Sequence, residues 1–401
     1  MRILIIHHRE NIPGTLRPDL LGRELGKRGN KVTIIGTSEK RKFKIAKKIT
    51  DDVETIEMPD LFWNGLRRGF DPWNTFRRVL FLINKEFDIV HAFDSRPNVI
   101  LPALFLKYTK GIPLVLDWAD WWGRNGTISK RSGRLFRYTL GWLEVFFEEK
   151  FRKFADGSTV VSTALRERLQ GLGYTKKILI SHHGCDVERI KPIEKSTARK
   201  KLGFDESSYI LGYLGNIFCT DAELLFEAVG MISKKYKLTL LLIGRNINPL
   251  RQKVPTFVKN TGSVDYRTIL NYVASCDVCL LPLKRDVANN GRWPSKMNDY
   301  LQLGKPIVST PVGDLQRIFS EKHIGLLADD TPQEFAKGIF RVLENRALAD
   351  ELGRNGRRYA EEELDWRILA HRLNNFYTEI RNEKNDRSSQ KASGSNQNKL
   401  I

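Results

Sequence analysis

Arg292, Ser295, Lys296 and Asp299 fall within eight residues, in the stretch GRWPSKMNDYLQLGKPIV from Gly291 to Val308, and their types suit a phosphorylated ligand. Pro294 breaks the preceding pattern, Ser295 is placed to cap a short helix, Gly304 to end it, and KPIVST reads as the next strand. A helix start offers backbone N–H groups and a positive dipole end to an anion, and Arg292 and Lys296 add charge. The dipole contributes about 0.3–1 kcal/mol and each hydrogen bond to a charged group about 1.5–3 kcal/mol, so several together hold a pyrophosphate. Asp299, one turn in, is placed to accept from a ribose diol. The plainer reading is a capped helix with a solvated acid.

A second group is VLDWADWWG, Val115 to Gly123, where Asp117 and Asp120 stand among Trp118, Trp121 and Trp122 at the point where a buried strand would end. Trp118 reads as core, and Trp121 and Trp122 are open to either role. The histidine pairs His7–His8 and His182–His183 sit at strand ends; His7 is a candidate to line a cleft, and the second pair reads as a linker contact. Cys276 and Cys279 form one CxxC without a second pair, which reads as buried, reduced packing, and no DxD motif or His/Asp cluster calls for a metal.

These residues need elements to position them. Strand-like runs alternate with helical patterns from RILII onward, the rhythm restarts at YILGYLG (Tyr209 to Gly215), and it continues through LTLLLIG, DVCLLPL and KPIVST. Alternation of this kind predicts parallel sheets with crossover helices, hence an α/β fold of two Rossmann-like doubly wound domains, with ligands at the carboxyl ends of the strands. The expected boundaries are 1–185 for an N-terminal domain and 186–365 for a C-terminal one, with the connector HHGCDVERIKP between them. A helix over 366–382 returns to the first domain, and the polar 383–401 reads as a disordered tail.

The 401 residues carry a formal charge of +20, which fits anionic partners. No RNP-like motif, zinc knuckle or helix-turn-helix accompanies it, which argues against nucleic acid. The N-terminus has no signal-peptide pattern and no apolar run is long enough to span a bilayer, so a cytoplasmic location is expected. Basic and aromatic residues adjoin in 67–78 and 130–137. In the first, Asp71 suits an N-cap, and Phe76, Leu80 and Ile83 share a face that leaves Arg77 and Arg78 outside. From Lys130 to Phe154, Phe136, Leu140, Leu143, Phe147, Phe151 and Phe154 form a stripe, with Arg131, Arg134 and Arg137 at its start. Amphipathic core helices and docking on an anionic membrane surface both remain open for these segments.

The chain resembles glycosyltransferase family 4, the retaining group with GT-B architecture, over about residues 1 to 380. PSKMNDYLQLGKPIV is similar to the family's P-S-K-L-x-E-Y-x-A-x-G-K-P-V-V, HGCDVERIKP to its N-G-V-D-x-x-x-F-x-P linker, and LLGRELGKRGNKVTIIG to its first helix and second strand. TGSVDYRTILNYVASCDVCLLP, residues 261 to 282, resembles G-x-V-x-x-x-x-L-x-x-x-Y-x-x-A-D-V-x-L-x-P. The resemblance implies two domains facing across a cleft, with a nucleotide-sugar donor held by Gly14, Gly215, Asn216, Arg245, Ser295, Lys296 and Asp299. It implies Asp120 as the residue that orients the acceptor hydroxyl, with Arg292 and Lys296 stabilising the leaving group; Trp121 and Trp122 become a platform for a sugar ring or lipid stem. Asp117 holds the position of the family's glutamate and also suits a structural acceptor.

Several positions depart from the family. Its usual histidine falls at Ala119, its phosphate-clamping arginine and lysine at Asn216 and Thr220, and its paired glutamates at Gly291 and Asp299. Arg292, Lys296 or Arg245 then has to supply the missing charge. The expectation is a metal-independent retaining glycosyltransferase without a tightly bound cofactor, acting on a glycan or lipid-linked acceptor in cell-envelope or polysaccharide biosynthesis, peripheral on the inner face of the membrane. The alternatives are a nucleotide-sugar epimerase of the same fold and a catalytically silent sugar-nucleotide or membrane-binding protein.

Overall fold

The computed structural model describes residues 1–10, 16–38, 41–50, 53–62, 68–130, 141–217, 219–244 and 254–397. The chain divides into two compact units, Met1–His182 with Trp366–Ile401, and His183–Asp365. The division falls a few residues before the expected Asp186, because Cys185 N–H donates to Leu364 O (2.7 Å) and its strand-like bridge to Asp365 ties the connector to the second unit.

The first unit is an eight-stranded sheet: β1 (Arg2–Glu10), β2 (Lys31–Thr37), β3 (Ala46–Thr50), β4 (Val53–Met58), β5 (Ile89–Phe93), β6 (Leu114–Trp118), β7 (Gly157–Val160) and β8 (Ile178–Ile180), in the order β3-β4-β2-β1-β5-β6-β7-β8. All neighbours are parallel except β3 with β4. Burial on both faces is why RILII reads as an unbroken apolar run, with Ile3 to Ile6 fully buried. Strand order reverses at β1, which places a crevice at the carboxyl ends of β1 and β5.

Two helices of this unit depart from their sequence reading. Helix Trp366–Gln397 buries Trp366, Leu369, Leu373, Phe376, Tyr377 and Ile380 in the unit's core, and it runs on through 383–397 where a disordered tail was expected. Once a docked helix is nucleated, each further residue adds a hydrogen bond at little cost, and no proline interrupts this polar stretch. Helix Pro72–Leu82 is capped by Asp71 as expected, its carboxylate accepting from Trp73 N–H at 2.8 Å, but its faces are reversed. Arg78 is fully buried, while Phe76, Leu80 and Ile83 are 52%, 47% and 43% exposed. The guanidinium finds three acceptors inside, donating to His7 O, Asn98 O and Thr37 Oγ1 at 2.9–3.0 Å, which periodicity alone does not reveal. In the second basic segment, Phe147 stacks on Phe151 with centroids 4.8 Å apart; Phe136, Leu140 and the arginines 131, 134 and 137 lie outside the described residues.

The second unit is an all-parallel six-stranded sheet of β9 (Tyr209–Leu214), β10 (Leu238–Ile243), β11 (Val258–Asn260), β12 (Val278–Leu281), β13 (Ile307–Ser309) and β14 (Leu326–Leu327), ordered β11-β10-β9-β12-β13-β14. Its reversal lies between β9 and β12, so the ends of these strands flank the natural ligand crevice. Cys276 and Cys279 are buried and reduced in this unit, as the packing reading requires.

Candidate functional site

At the end of β9, Gly215 adopts φ +83°, a left-handed conformation that favours glycine, and the chain turns into Asn216. Helix Lys296–Gln302 is fastened beside this turn, because Tyr300, fully buried, receives the Leu214 N–H on its hydroxyl at 2.8 Å. Asn298 holds the connector, donating to His183 O (2.6 Å) and accepting from the Trp293 indole (2.7 Å). Gly304 takes φ +64° just after the helix, with Lys305 N–H bonding back to Tyr300 O, as the sequence reading of a glycine stop predicts.

Lys296 is thereby brought to the strand end. Its ammonium lies 3.7 Å from the Tyr213 ring centroid and 3.4 Å from Asn216 O. Burial, and then the neighbouring Arg292 cation, push its pKa down to about 7, against a smaller opposing effect from the buried Asp221 carboxylate. Lys296 thus meets the turn at Asn216, with the Arg292 cation near enough to act on its ammonium. Asp299 lies one turn along the same side of the helix, its Oδ1 accepting from Tyr266 OH (2.6 Å) and Gln302 Nε2 (2.9 Å). Burial raises its pKa to about 6 despite both donors.

Ser295 differs from its expected role. It is itself in the α region (φ −53°, ψ −29°), its side chain makes no capping bond, and it is exposed. Met297 N–H already bonds Pro294 O and Asn298 N–H bonds Ser295 O, so two of the donors counted for a phosphate are engaged. The positive charge here therefore rests on side chains more than on a capped helix start. Gly14 and Arg245 lie outside the described residues.

In the first unit, Asp120 follows β6. Its carbonyl accepts from the Trp118 indole at 2.9 Å, and the same indole and Trp122 N–H both donate to Glu148, at 2.8 and 3.0 Å. Burial raises the Glu148 pKa to about 7, and Arg152 stacks 3.8 Å from the Trp118 centroid. Trp118 is thus core. Trp121 and Trp122 are half-buried, with Arg168 4.3 Å from the Trp121 centroid and Arg96 6.0 Å from that of Trp122. Asp117 is a buried acceptor for Arg17 (2.7 Å) and Thr159, the structural role.

The crevice at β1 and β5 holds a group that the sequence reading did not single out. His8 Nδ1 is 3.0 Å from Asp94 Oδ2, and Arg96 Nε is 3.3 Å from the same oxygen. Asp94 holds φ +119°, outside the usual range for a side-chain-bearing residue, and such strain concentrates at functional sites. Burial and Arg96 push the His8 pKa down to about 4, leaving it neutral at pH 7, while Arg96 and His8 hold Asp94 well below the ordinary carboxylate range. The signal available in sequence was the pairing of HH at one strand end with DSR at the end of DIVHAF; only strand order makes them neighbours. His7, the expected cleft residue, is instead buried, with Nε2 3.8 Å from Asp19 Oδ1, because alternate residues of a strand face opposite ways. His182 makes the expected linker contact, its Nδ1 2.8 Å from Val161 O. Among the described residues, no three His, Cys, Asp or Glu side chains are grouped to hold a metal ion.

Two doubly wound α/β units, each with the strand-order reversal described above, give the chain the GT-B fold. Residues 19–189 match the family model of Glycosyltransferase Family 4 and residues 208–345 that of Glycosyl transferases group 1; the chain belongs to these glycosyltransferases. Its similar curated proteins include an uncharacterized glycosyltransferase of Methanocaldococcus jannaschii, 23% identical over 241 residues, covering 56% of this chain and 60% of the relative. Another is the GDP-mannose-dependent monoacylated alpha-(1-6)-phosphatidylinositol monomannoside mannosyltransferase of Corynebacterium glutamicum, 23% identical over 212 residues, covering 48% of this chain and 54% of the relative. The chain thus spans little more than half the length of these two. Among solved structures, sucrose-phosphate synthase from Thermosynechococcus elongatus superposes with TM-score 0.72 at 16% identity, covering 94% of this chain and 98% of that one. Anabaena HepE in complex with UDP and glucose gives 0.67 at 14% identity, covering 94% and 100%.

Proposed function

We propose that the chain transfers a sugar from a nucleotide-sugar donor, with retention of anomeric configuration, to a glycan or lipid-linked acceptor in cell-envelope or polysaccharide biosynthesis. The observation that carries this reading is the pair Lys296 and Arg292 at the end of β9, where a half-buried ammonium with its pKa near 7 is primed for a diphosphate. These two replace the charge absent at Asn216, and Gly215 lets the backbone approach the phosphates. Similar proteins are consistent with it: HepE is described with UDP and glucose, and the corynebacterial relative as GDP-mannose-dependent.

In the proposed step the bond from the anomeric carbon to the diphosphate oxygen breaks as the acceptor oxygen bonds that carbon on the same face. The leaving phosphate takes the acceptor proton, so a histidine at Ala119 is unnecessary. Lys296 and Arg292 stabilise the developing phosphate charge, Asp299 holds the ribose, and Asp120 orients the acceptor. Ser295, and Gly14 and Arg245 outside the described residues, remain proposed donor contacts.

The test is calorimetric titration of the full chain with UDP, GDP, ADP and UDP-glucose, followed by nucleotide release with a panel of glycan and lipid-linked acceptors. Binding of at least one diphosphate, weakened in Lys296→Ala, with acceptor-dependent turnover that gives a product of unchanged anomeric configuration, is the expected result. Binding without turnover would assign a silent sugar-nucleotide protein instead, and no binding by any nucleotide would refute the site.

A further inference from the structure

Helix Pro72–Leu82 is turned with its polar residues inward. Asn74 and Arg78 are fully buried and spend their donors on backbone carbonyls and Thr37, while Phe76, Leu80 and the capping Ile83, spaced by four and three, form an exposed stripe. A stripe of this kind does not stabilise the unit, and contiguous exposed apolar surface marks a contact with something else. The stripe is continuous with the segment before and along β3. The Trp73 indole donates to Lys42 O at 2.9 Å, and its ring packs against Phe43 (6.3 Å) and Phe76 (6.0 Å). Phe43 is 62% and Ile49 75% exposed.

Cations surround this apolar surface. Lys42, Lys44, Lys47 and Lys48 are exposed, and the ammoniums of Lys47 and Lys85 each lie 5.4 Å from the Phe81 centroid. No acidic residue occurs in 41–49 or 72–85, and the carboxylate of Glu54 on the neighbouring β4 pairs with Lys47 at 3.6 Å, leaving Lys42 and Lys44 as the cations beside Phe43. Aromatics and aliphatics ringed by lysines on flexible stems match a fluid interface of apolar chains beneath phosphate headgroups, with each ammonium a mobile point charge. We propose that this face docks peripherally on an anionic lipid surface, with Phe43, Phe76 and Leu80 entering the interface and Lys42 and Lys44 meeting the phosphates. Of the two helix arginines expected outside, Arg78 is internal, and Arg77 lies 5.3 Å from the Trp73 centroid. The face shares no residue with the donor site, so its test is independent of the proposed transfer.

The experiment is sedimentation of the full chain with phosphatidylcholine vesicles, alone or carrying about one-third phosphatidylglycerol, at about 0.1 M salt. Binding is expected only to the anionic vesicles and falls about tenfold or more when salt is raised to about 0.5 M. Phe76→Ser with Leu80→Ser, and separately Lys42→Glu with Lys44→Glu, each lower vesicle partitioning about tenfold with unchanged melting midpoint and nucleotide binding. Absent binding by the native chain, equal binding to neutral vesicles, or native-like binding by both double variants would overturn the proposal. So would a dimer at low micromolar concentration that the Phe76/Leu80 variant dissociates, which would assign the face to a second copy.

Discussion

Burial brings Lys296 down to about 7 and Asp299 up to about 6, and this sets a pH signature for the proposed donor site. A diphosphate favours the ammonium, so its binding raises the Lys296 pKa above about 7, takes up a proton, and weakens as pH rises through that value. A ribose diol needs the Asp299 carboxylate, which is lost as pH falls through about 6. Nucleoside diphosphate affinity is therefore expected to peak between these limits, and calorimetry in buffers of different ionisation enthalpy will read the proton uptake. Lys296→Ala removes the alkaline limb and about 1.5–3 kcal/mol, or roughly a tenfold to hundredfold loss of affinity. Asp299→Asn removes the acid limb and weakens nucleoside diphosphates about tenfold or more, yet spares inorganic pyrophosphate. In the unliganded protein, the depressed Lys296 pKa makes stability rise with pH from about 7 toward the lysine's ordinary 10.5, because only the unfolded chain holds the proton there.

Among the elements, helix Lys296–Gln302 depends on a close approach by helix Arg346–Glu362. A Cβ on Gly353 would lie 2.2 Å from Gly304 O, a backbone atom that a side-chain rotation cannot clear. Gly353→Ala is expected to cost about 1–3 kcal/mol, visible as a lower melting midpoint, and to weaken nucleotide binding by moving the helix that carries Lys296. Asp71 serves helix Pro72–Leu82 as a cap and also accepts from Leu61 and Phe62 N–H. Asp71→Ala should cost about 0.5–2 kcal/mol by chemical denaturation and leave nucleotide affinity unchanged, since this helix lies in the other unit. The element level is also where sequence reading failed on this helix. Phe76, Leu80 and Ile83 were correctly placed on one face, but periodicity identifies a face and not the direction in which it points.

On the scale of the whole molecule, the chain's end completes its beginning. Helix Trp366–Gln397 fills the first unit's core, Tyr377 OH lies 2.6 Å from the buried His91 Nδ1, and a Cβ on Gly157 would lie 2.7 Å from Ile380 Cδ1. A chain truncated before Trp366 should lose the cooperative unfolding of the first unit, read by near-ultraviolet circular dichroism, because six large apolar or aromatic side chains leave that core. Retention of a cooperative transition at the native midpoint would contradict this role.

The sequence by itself determined the two doubly wound units, the glycosyltransferase family and the glycine that follows helix Lys296–Gln302. Each depends on local periodicity, punctuation or a motif continuous in the chain. Only the tertiary structure decided that Arg78 is inside, that Ser295 is no cap, and that His8, Asp94 and Arg96 meet where β1 and β5 lie side by side. The reason is that burial and pairing are set by neighbours distant in sequence. A cation's place depends on acceptors such as His7 O and Thr37 Oγ1, which no local pattern around it encodes.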